Sequence, residues 1–331
     1  MFYVIINPTA RSGKGMQIWQ GLKKEMDERQ VNYRYYFTRK DRSAAGIIKC
    51  ILNKDHGIIN LILMGGDGTV NQTINGIAAV GQKCFDRVRF CYIPAGSASD
   101  LARALQLPDD PHKSLRRILA AGDGQMSWMN GSGAAKERLT DLGLLTYNEA
   151  ENPEYNGRKR YFIVSAGIGF DAAVCAEVAN SKAKKDFNAI GLGGLVYGFI
   201  CVRRLLTGTK ADIRVIMDGK RIHPARDCLF VAVMNHRYQG GGVMFTPAAV
   251  SDDGLLDLCF TDRMKRRKIL LTFPKAYTGD HVGTKGLVID RARDVRIVSS
   301  EMLCVHTDGE VATRAKDISI RCIPVKLRLM V

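Results

Sequence analysis

Over the first third of the chain, short apolar runs alternate with amphipathic stretches. Residues 2–6, 33–37, 58–64 and 88–93 are apolar over strand lengths. Between and after them, residues 16–30, 43–52, 70–80, 99–105 and 111–121 carry apolar positions at helical spacing. Strands alternating with helices predict an α/β domain built on a doubly wound parallel sheet. Such sheets bind ligands in the loops at the carboxyl ends of their strands. Three loops fall there: 7–15, 65–69 and 94–100.

Beyond residue 127 the pattern changes. Runs at 161–165, 213–217, 229–234, 255–260, 295–298, 302–306, 318–323 and 325–330 are short and β-rich, and several are separated by Asp-Gly pairs at 218–219, 253–254 and 308–309. Asp-Gly between apolar runs is a hairpin signal, so a C-terminal antiparallel β-sandwich domain is expected. A helical insertion spans about 171–206. The predicted division is residues 1–127 and 128–331, with the C-terminal segment free to pack back on the first domain. No internal repeat or low-complexity segment interrupts this order, and the charge runs at 182–186 and 263–268 read as solvated faces.

Composition narrows the class. With 46% hydrophobic and 25% charged residues over 331 positions, the chain is globular rather than disordered. A net charge of +16 calls for anionic partners: nucleic acid, lipid headgroups or phosphorylated substrates. Solubility alone is the plainer account. The nine cysteines contain no Cys-x-x-Cys pair, which fits reduced thiols in a cytosolic protein better than disulfides or a zinc site. The first residues lack the basic start of a signal peptide, and no apolar run reaches membrane-spanning length.

The candidate chemistry centres on Gly65-Gly66-Asp67-Gly68-Thr69, at the end of a strand and the start of a helix. Glycines let backbone approach a bulky anion, and helix-start N–H groups hold phosphate. Asp67 would repel phosphate unless a divalent cation lay between them. The spacing therefore points to a nucleotide–Mg²⁺ site. The loop Asn7-Pro8-Thr9-Ala10-Arg11-Ser12-Gly13-Lys14-Gly15 is not a Walker A sequence, yet it offers hydroxyls and cations beside a helix start. It also reads as a polar strand–helix turn. Pro94-Ala95-Gly96-Ser97-Ala98-Ser99-Asp100 is a second small-residue loop, where Ser97 is a donor to phosphate and Asp100 a metal carboxylate, or where Ser99 merely caps a helix.

Three later stretches carry less on their own. In Thr307-Asp308-Gly309-Glu310 the spacing alone favours a hairpin turn; if a strand runs through them instead, the two carboxylates share a face, one as general base and one as metal ligand. Asn235-His236, Gly240-Gly241-Gly242 and Asp253-Gly254 form a glycine-rich cluster in which Asp253 suits a structural cation or a plain turn. Residues 189–202 are apolar with basic flanks, a buried helix or a segment for an anionic membrane surface.

Taken in order, these motifs resemble the diacylglycerol kinase catalytic-domain family, in particular its soluble bacterial lipid kinases related to sphingosine kinases. The resemblance spans nearly the whole chain: Asn7-Pro8 with Ser12 to Gly15, Gly65 to Gln72 with Asn75-Gly76, Gly167-Ile168-Gly169-Phe170-Asp171-Ala172, Asn235 with Gly240 to Gly242, Asp253-Gly254 with Leu256-Asp257, and Asp308-Gly309-Glu310. Gln72 replaces a usual Glu, the usual Gly-Thr-x-Asn-Asp is here Gly96 to Asp100 without the Asn, and Asn-Gly is here Asn235-His236.

The resemblance implies an NAD kinase- and phosphofructokinase-like α/β nucleotide domain, a β-sandwich lipid-substrate domain and an active site in the cleft. It implies ATP and Mg²⁺ as cofactors and a lipid hydroxyl as acceptor, most simply of the diacylglycerol type. Asn7, Arg11, Thr38, Gly65, Gly66, Asp67, Gly68, Thr69, Gly96, Ser97 and Glu310 would serve the nucleotide. Asp67, Asp100 and Glu310 would form the carboxylate–Mg²⁺ network, and Asp253 a structural metal turn. Asp308 would be the general base, with Asp67 as the fallback for that duty. The expected setting is cytoplasmic, peripherally attached to an anionic membrane, with no nucleic acid partner and with room for a homodimer. The other readings are an NAD-kinase-like phosphotransferase and a catalytically silent nucleotide- or lipid-binding regulator.

Overall fold

The computed structural model describes residues 1–11, 13–96, 99–120, 136–180 and 193–330. The chain divides into two compact units, Met1–Asp141 with Pro324–Val331, and Leu142–Ile323. The predicted division at 127/128 falls outside the described residues. The first unit keeps more chain than that because Glu137, at the start of a strand, pairs with Arg328 at 3.8 Å, and Arg328 to Met330 lie alongside residues 89–91.

In the first unit the elements run β1 (Phe2–Ile6), α1 (Gly15–Glu28), β2 (Tyr33–Phe37), α2 (Ala44–Lys54), β3 (Ile59–Gly65), α3 (Asp67–Val80), β4 (Val88–Pro94), α4 (Asp100–Ala104) and α5 (Pro111–Ala120). The four strands are parallel, in the order β2-β1-β3-β4, and Arg328 to Met330 add a further parallel segment beside β4. Period-2 alternation decides which residues face which layer. Val4 and Ile6 of β1 join Ile62, Met64, Cys91 and Ile93 under Trp19, Leu22 and Met26 of α1 and Leu115, Ile118 and Leu119 of α5. The connection after β1 leads to β2 and the one after β3 leads to β4, in opposite directions along the sheet, so β1 and β3 flank a topological switch point, where loops diverge and leave room for a ligand.

The second unit contains β5 (Glu137–Ala150, shared at its start with the first unit), β6 (Lys159–Phe162), β7 (Ser165–Gly169), α6 (Phe170–Asn180), α7 (Gly193–Thr207), β8 (Ala211–Met217), β9 (Arg221–Cys228), β10 (Phe230–Met234), β11 (Tyr238–Gln239), β12 (Val243–Met244), β13 (Leu256–Thr261), α8 (Arg266–Thr272), β14 (Leu287–Ala292), β15 (Asp294–Thr307) and β16 (Glu310–Met330). Its main sheet is antiparallel in the order β14-β13-β10-β7-β15-β16, with the β8-β9 hairpin attached to β15. Alternation along β10 splits the unit's interior. Val231 and Val233 enter an all-β core with Tyr147, Phe162, Leu258, Val305 and Ile318. Phe230, Ala232 and Met234 face the helices, against Phe170, Ile200, Leu205 and Ile269.

Several elements differ from expectation. The runs at 295–298 and 302–306 are one strand, β15, with register shifts that the apolar pattern reads as a break. The runs at 318–323 and 325–330 are likewise one strand, β16, which begins in the second unit and ends in the first. The charge run at 263–268 is solvated as expected at Arg263, Lys265 and Arg267, but it leads into helix α8, where Ile269 is buried and the Arg266 guanidinium donates to Leu205 O (3.0 Å) and Gly208 O (2.6 Å) at the end of α7. Cations there suit the negative end of the α7 dipole.

Helices α2 and α3 approach at Gly76, where an added Cβ would lie 2.6 Å from Ile48 Cγ2 and 2.7 Å from the Ala45 Cα and carbonyl oxygen. Alanine brings up to about 1 kcal/mol of helix propensity. The backbone of Ala45 does not rotate away, so overpacking outweighs that gain. Gly76→Ala is expected to lower the unfolding free energy of the protein by about 1–3 kcal/mol, read from the urea midpoint; an unchanged or raised midpoint would show that the two helices are not in backbone contact.

Candidate active site

In the first unit, the carboxyl edge of the parallel sheet gathers the predicted nucleotide residues. Asn7 follows β1; its backbone N–H donates to Met64 O at 2.9 Å and its amide Nδ2 donates to Thr69 Oγ1 at 3.2 Å. That side-chain bond ties the β1 and β3 loops together at the switch point. Thr38 follows β2, its N–H donating to Ile6 O at 2.8 Å. Arg11 is exposed in the first loop, in the left-handed region with φ +51°. Ser97 lies outside the described residues.

Helix α3 begins at Asp67, three residues earlier than the apolar pattern predicts, so the signature acid sits in its first turn. Gly66 is the N-cap in extended conformation and supplies no capping side chain. Nothing from the side chain at that position competes with an anion for the helix's first N–H groups. The loop glycines are needed for close contact. A Cβ on Gly96 would fall 2.7 Å from Gly66 Cα, and one on Gly65 would fall 2.7 Å from Thr69 Oγ1. Tyr92 closes the floor, its hydroxyl donating to Gly65 O at 3.2 Å. Burial pushes the Tyr92 phenol well up, so it stays protonated as that donor.

The structure brings Asp67 and Asp100 together. Asp67 Oδ2 accepts the N–H of Asp100 at 3.0 Å, and the buried Asp100 pairs through Oδ1 with Arg103 at 3.2 Å. Two neighbouring carboxylates beside an uncapped helix start suit Mg²⁺, which takes one or two protein carboxylates and keeps several waters. Among the described residues no group of three or more His, Cys, Asp or Glu side chains is placed to hold a metal.

In the second unit, Asp308 and Gly309 form a two-residue hairpin turn between Thr307 and Glu310, with φ of +48° and +81°. Positive φ at both centres is the geometry for which Asp-Gly is suited. This is the hairpin that the spacing favours; no strand runs through the turn, so the condition for a shared face of Asp308 and Glu310 is not met, and Glu310 starts β16 and is exposed. The Asp308 carboxylate turns back instead onto the bend between β6 and β7. Oδ1 accepts the N–H groups of Val164 (2.8 Å) and Ser165 (3.0 Å), and Oδ2 accepts that of Ile163 (3.0 Å). Consecutive backbone N–H groups of this kind form an anion-binding nest.

Asn235, a motif residue without a role in the sequence pattern, supports that nest. Its Nδ2 donates to Ile163 O at 2.7 Å, and the N–H groups of Asn235 and His236 both donate to Val164 O, at 2.9 and 3.1 Å. The other motif turn behaves differently. Asp253 Oδ1 accepts Leu255 N–H at 3.0 Å while Oδ2 pairs with Arg291, which also reaches the buried Asp257 at 3.1 Å. Arginine therefore occupies the place expected for a cation at Asp253. The described part of the 189–202 run buries Ile200 and Cys201 and exposes Phe199 and Val202. Among the described residues no helix is long and apolar enough to cross a membrane.

Residues 1–131 match the family described as the diacylglycerol kinase catalytic domain, and residues 163–331 match the YegS C-terminal NAD kinase beta sandwich-like domain. The chain belongs to this family of diacylglycerol kinase catalytic-domain proteins, whose second domain is the YegS-type sandwich. The diacylglycerol kinase of Staphylococcus carnosus strain TM300 is 25% identical over 93% of this chain and 87% of its own. The diacylglycerol kinase of Mycobacterium tuberculosis H37Rv is 24% identical over 98% and 93%. A diacylglycerol kinase crystal structure from Bacillus anthracis Sterne superposes with a TM-score of 0.70 at 20% identity, covering 99% of this chain and 96% of that one, which establishes the common fold.

His236 gives the second unit a pH dependence. Burial, followed by the nearby Arg237 charge, pulls its imidazole down from the ordinary 6.5 to about 4. Between these values the unfolded chain binds the proton and the folded chain does not. Stability is therefore fully present above about pH 6.5 and is lost as pH falls toward 4. At pH 4.5 the loss amounts to roughly 2–3 kcal/mol. His236→Asn should flatten this portion of the pH profile of the urea midpoint; parallel profiles for the two proteins would place the proton elsewhere.

Proposed function

We propose that this protein is an ATP- and Mg²⁺-dependent lipid kinase that phosphorylates a lipid hydroxyl, with diacylglycerol-type lipids as the first acceptor to test. The observation that carries the reading is the Asp308 carboxylate, held by three backbone N–H donors at the tip of a hairpin. A general base works only when its oxygen is held at a defined position relative to the proton it removes. Bound Mg-ATP supplies the phosphoryl group and the cation that neutralises charge on its oxygens. Asn7, Thr69 and the N-terminus of α3 bind and orient phosphate, Gly65, Gly66 and Gly96 let backbone come close to it, and Asp67 with Asp100 hold the cation. Asp308 takes the proton of the acceptor hydroxyl. The names of the relatives support diacylglycerol as the acceptor.

The acceptor lies in a membrane, so the enzyme needs a surface that meets one. Helix α7 exposes Phe199, Val202 and Leu206 while burying Ile200, Cys201 and Leu205, and α8 exposes Leu271 at 74%. Lys265 and Arg267, at the start of α8, are exposed as well. Apolar side chains among cations match an anionic lipid interface. Leu271→Glu combined with Phe199→Glu is expected to reduce sedimentation with phosphatidylglycerol-containing vesicles several-fold without shifting Tm. Unchanged sedimentation would move the contact elsewhere.

A lipid-panel assay in mixed micelles with labelled Mg-ATP tests the activity itself. Asp308→Asn should lower kcat by about 10²–10⁴-fold with nucleotide affinity retained, while Asp67→Ala should weaken Mg-ATP binding. Near-normal transfer by Asp308→Asn would remove the base assignment, and transfer to NAD in place of lipid would replace the acceptor.

A further inference from the structure

Behind the hairpin lies a buried polar group to which the reaction proposed above assigns no step. His306, Asp171 and Gln239 are all buried, at 0%, 5% and 7% exposure. Burying a carboxylate, an imidazole and an amide is costly unless they satisfy one another, so the cluster needs a physical reason. Its bonds define one. The Gly309 N–H donates to His306 Nδ1 at 3.1 Å, which makes Nδ1 the acceptor and leaves the ring proton on Nε2. Nε2 faces Asp171 Oδ2 at 2.9 Å, and so the carboxylate accepts that proton and fixes both tautomer and ring plane. Gln239 Nε2 lies 3.3 Å from the same oxygen and 3.2 Å from His306 Nε2; with the ring proton on Nε2, its N–H goes to the carboxylate. The Ala172 N–H donates to Asp171 Oδ1 at 2.9 Å and holds the other end.

The strand beside the cluster is shaped to admit it. Gly167 of β7 is the direct partner of His306 on β15. A Cβ at Gly167 would overlap Asp171 Oδ2 and come within 2.8 Å of His306 Nε2. The glycine of this motif therefore makes room for a carboxylate–imidazole pair. His306 also lies at the register shift that follows Val305 in β15, where a bulge aims a side chain away from regular pairing.

We propose that His306 is a positioning residue. Its Nδ1, held in the accepting state by Asp171, fixes the Gly309 peptide and with it the turn that presents Asp308. The assignment rests on the reading of Asp308 as general base. The nest at residues 163–165 holds the carboxylate from the front, and the His306–Asp171 pair holds the peptide of the turn from behind. Loss of the rear support leaves the carboxylate bound but lets the turn shift, and small misplacements of a reacting group are expensive.

Two near-isosteric variants separate this role from simple packing. Asn places an acceptor oxygen close to where His carries Nδ1, whereas Gln places an N–H close to where His carries Nε2. His306→Asn is expected to keep kcat within about threefold of the parent, because Gly309 retains its acceptor. His306→Gln keeps the Asp171 contact and loses the Gly309 bond; its kcat should fall about tenfold or more with KM for ATP unchanged. Equal losses in both variants, or a loss confined to His306→Asn, would overturn the assignment. Asp308→Asn is measured alongside: if it remains active, the base reading fails, whereas an inactive Asp308→Asn with a fully active His306→Gln refutes the positioning role alone. Should the His306 variants not fold, ¹⁵N chemical shifts of the imidazole rings in the unmodified protein decide. A neutral ring at His306 protonated on Nε2 supports the proposal, and one protonated on Nδ1 overturns it.

Discussion

Three consecutive backbone N–H groups, from Ile163, Val164 and Ser165, converge on the Asp308 carboxylate. Hydrogen bonds from three neighbouring strands of the second unit's sheet support this arrangement. The bend that aims the three donors is held by Asn235 and His236 at the end of β10, and the turn that delivers the carboxylate is held through Gly309 by His306. β7, β10 and β15 are neighbours in the sheet, so each support comes from a strand beside the next. Oriented backbone dipoles stabilise the ionised carboxylate and fix its position.

A different constraint organises the first unit. There the loops after β3 and β4 are in backbone contact, Gly66 against Gly96, and any side chain at either position would force them apart. Contact between loops brings Asp67 within hydrogen-bonding reach of the Asp100 N–H and sets two carboxylates at one helix start. The positive end of α3 and two negative side chains share a small region. That mixture suits a phosphate with its cation, since either charge alone would be unbalanced.

Nearly all the α/β unit was legible in the sequence. Strands β1, β3 and β4 are largely buried and read as apolar runs, the edge strand β2 is a half-exposed aromatic run, and the helices carry one apolar face, so the two periods separate. The second unit was legible as a class but not as elements. β9, with Arg221, Arg226 and Asp227, is too polar for its run to register, a register shift splits the apolar pattern of β15, and Pro324 interrupts that of β16. The charged stretch before Ile269 showed the same limit: Arg266 is spent on the carbonyls ending α7 rather than on solvent.

By itself, the sequence determined the two-part architecture, the glycine loop with its acid, and the ordered motifs that place the chain in its family. These are local properties: periodicity, turn chemistry and spacing follow from neighbours along the chain. Only the tertiary structure decided what the isolated polar residues do. It turned Asp308 back onto a bend 143 to 145 positions away, separated it in orientation from Glu310, and gave Asp253 to Arg291. It also revealed His306, Asp171 and Gly167 as one unit, because their contact arises from strand register across β7 and β15. Register is set by pairing between distant segments, and no spacing within a single segment encodes it.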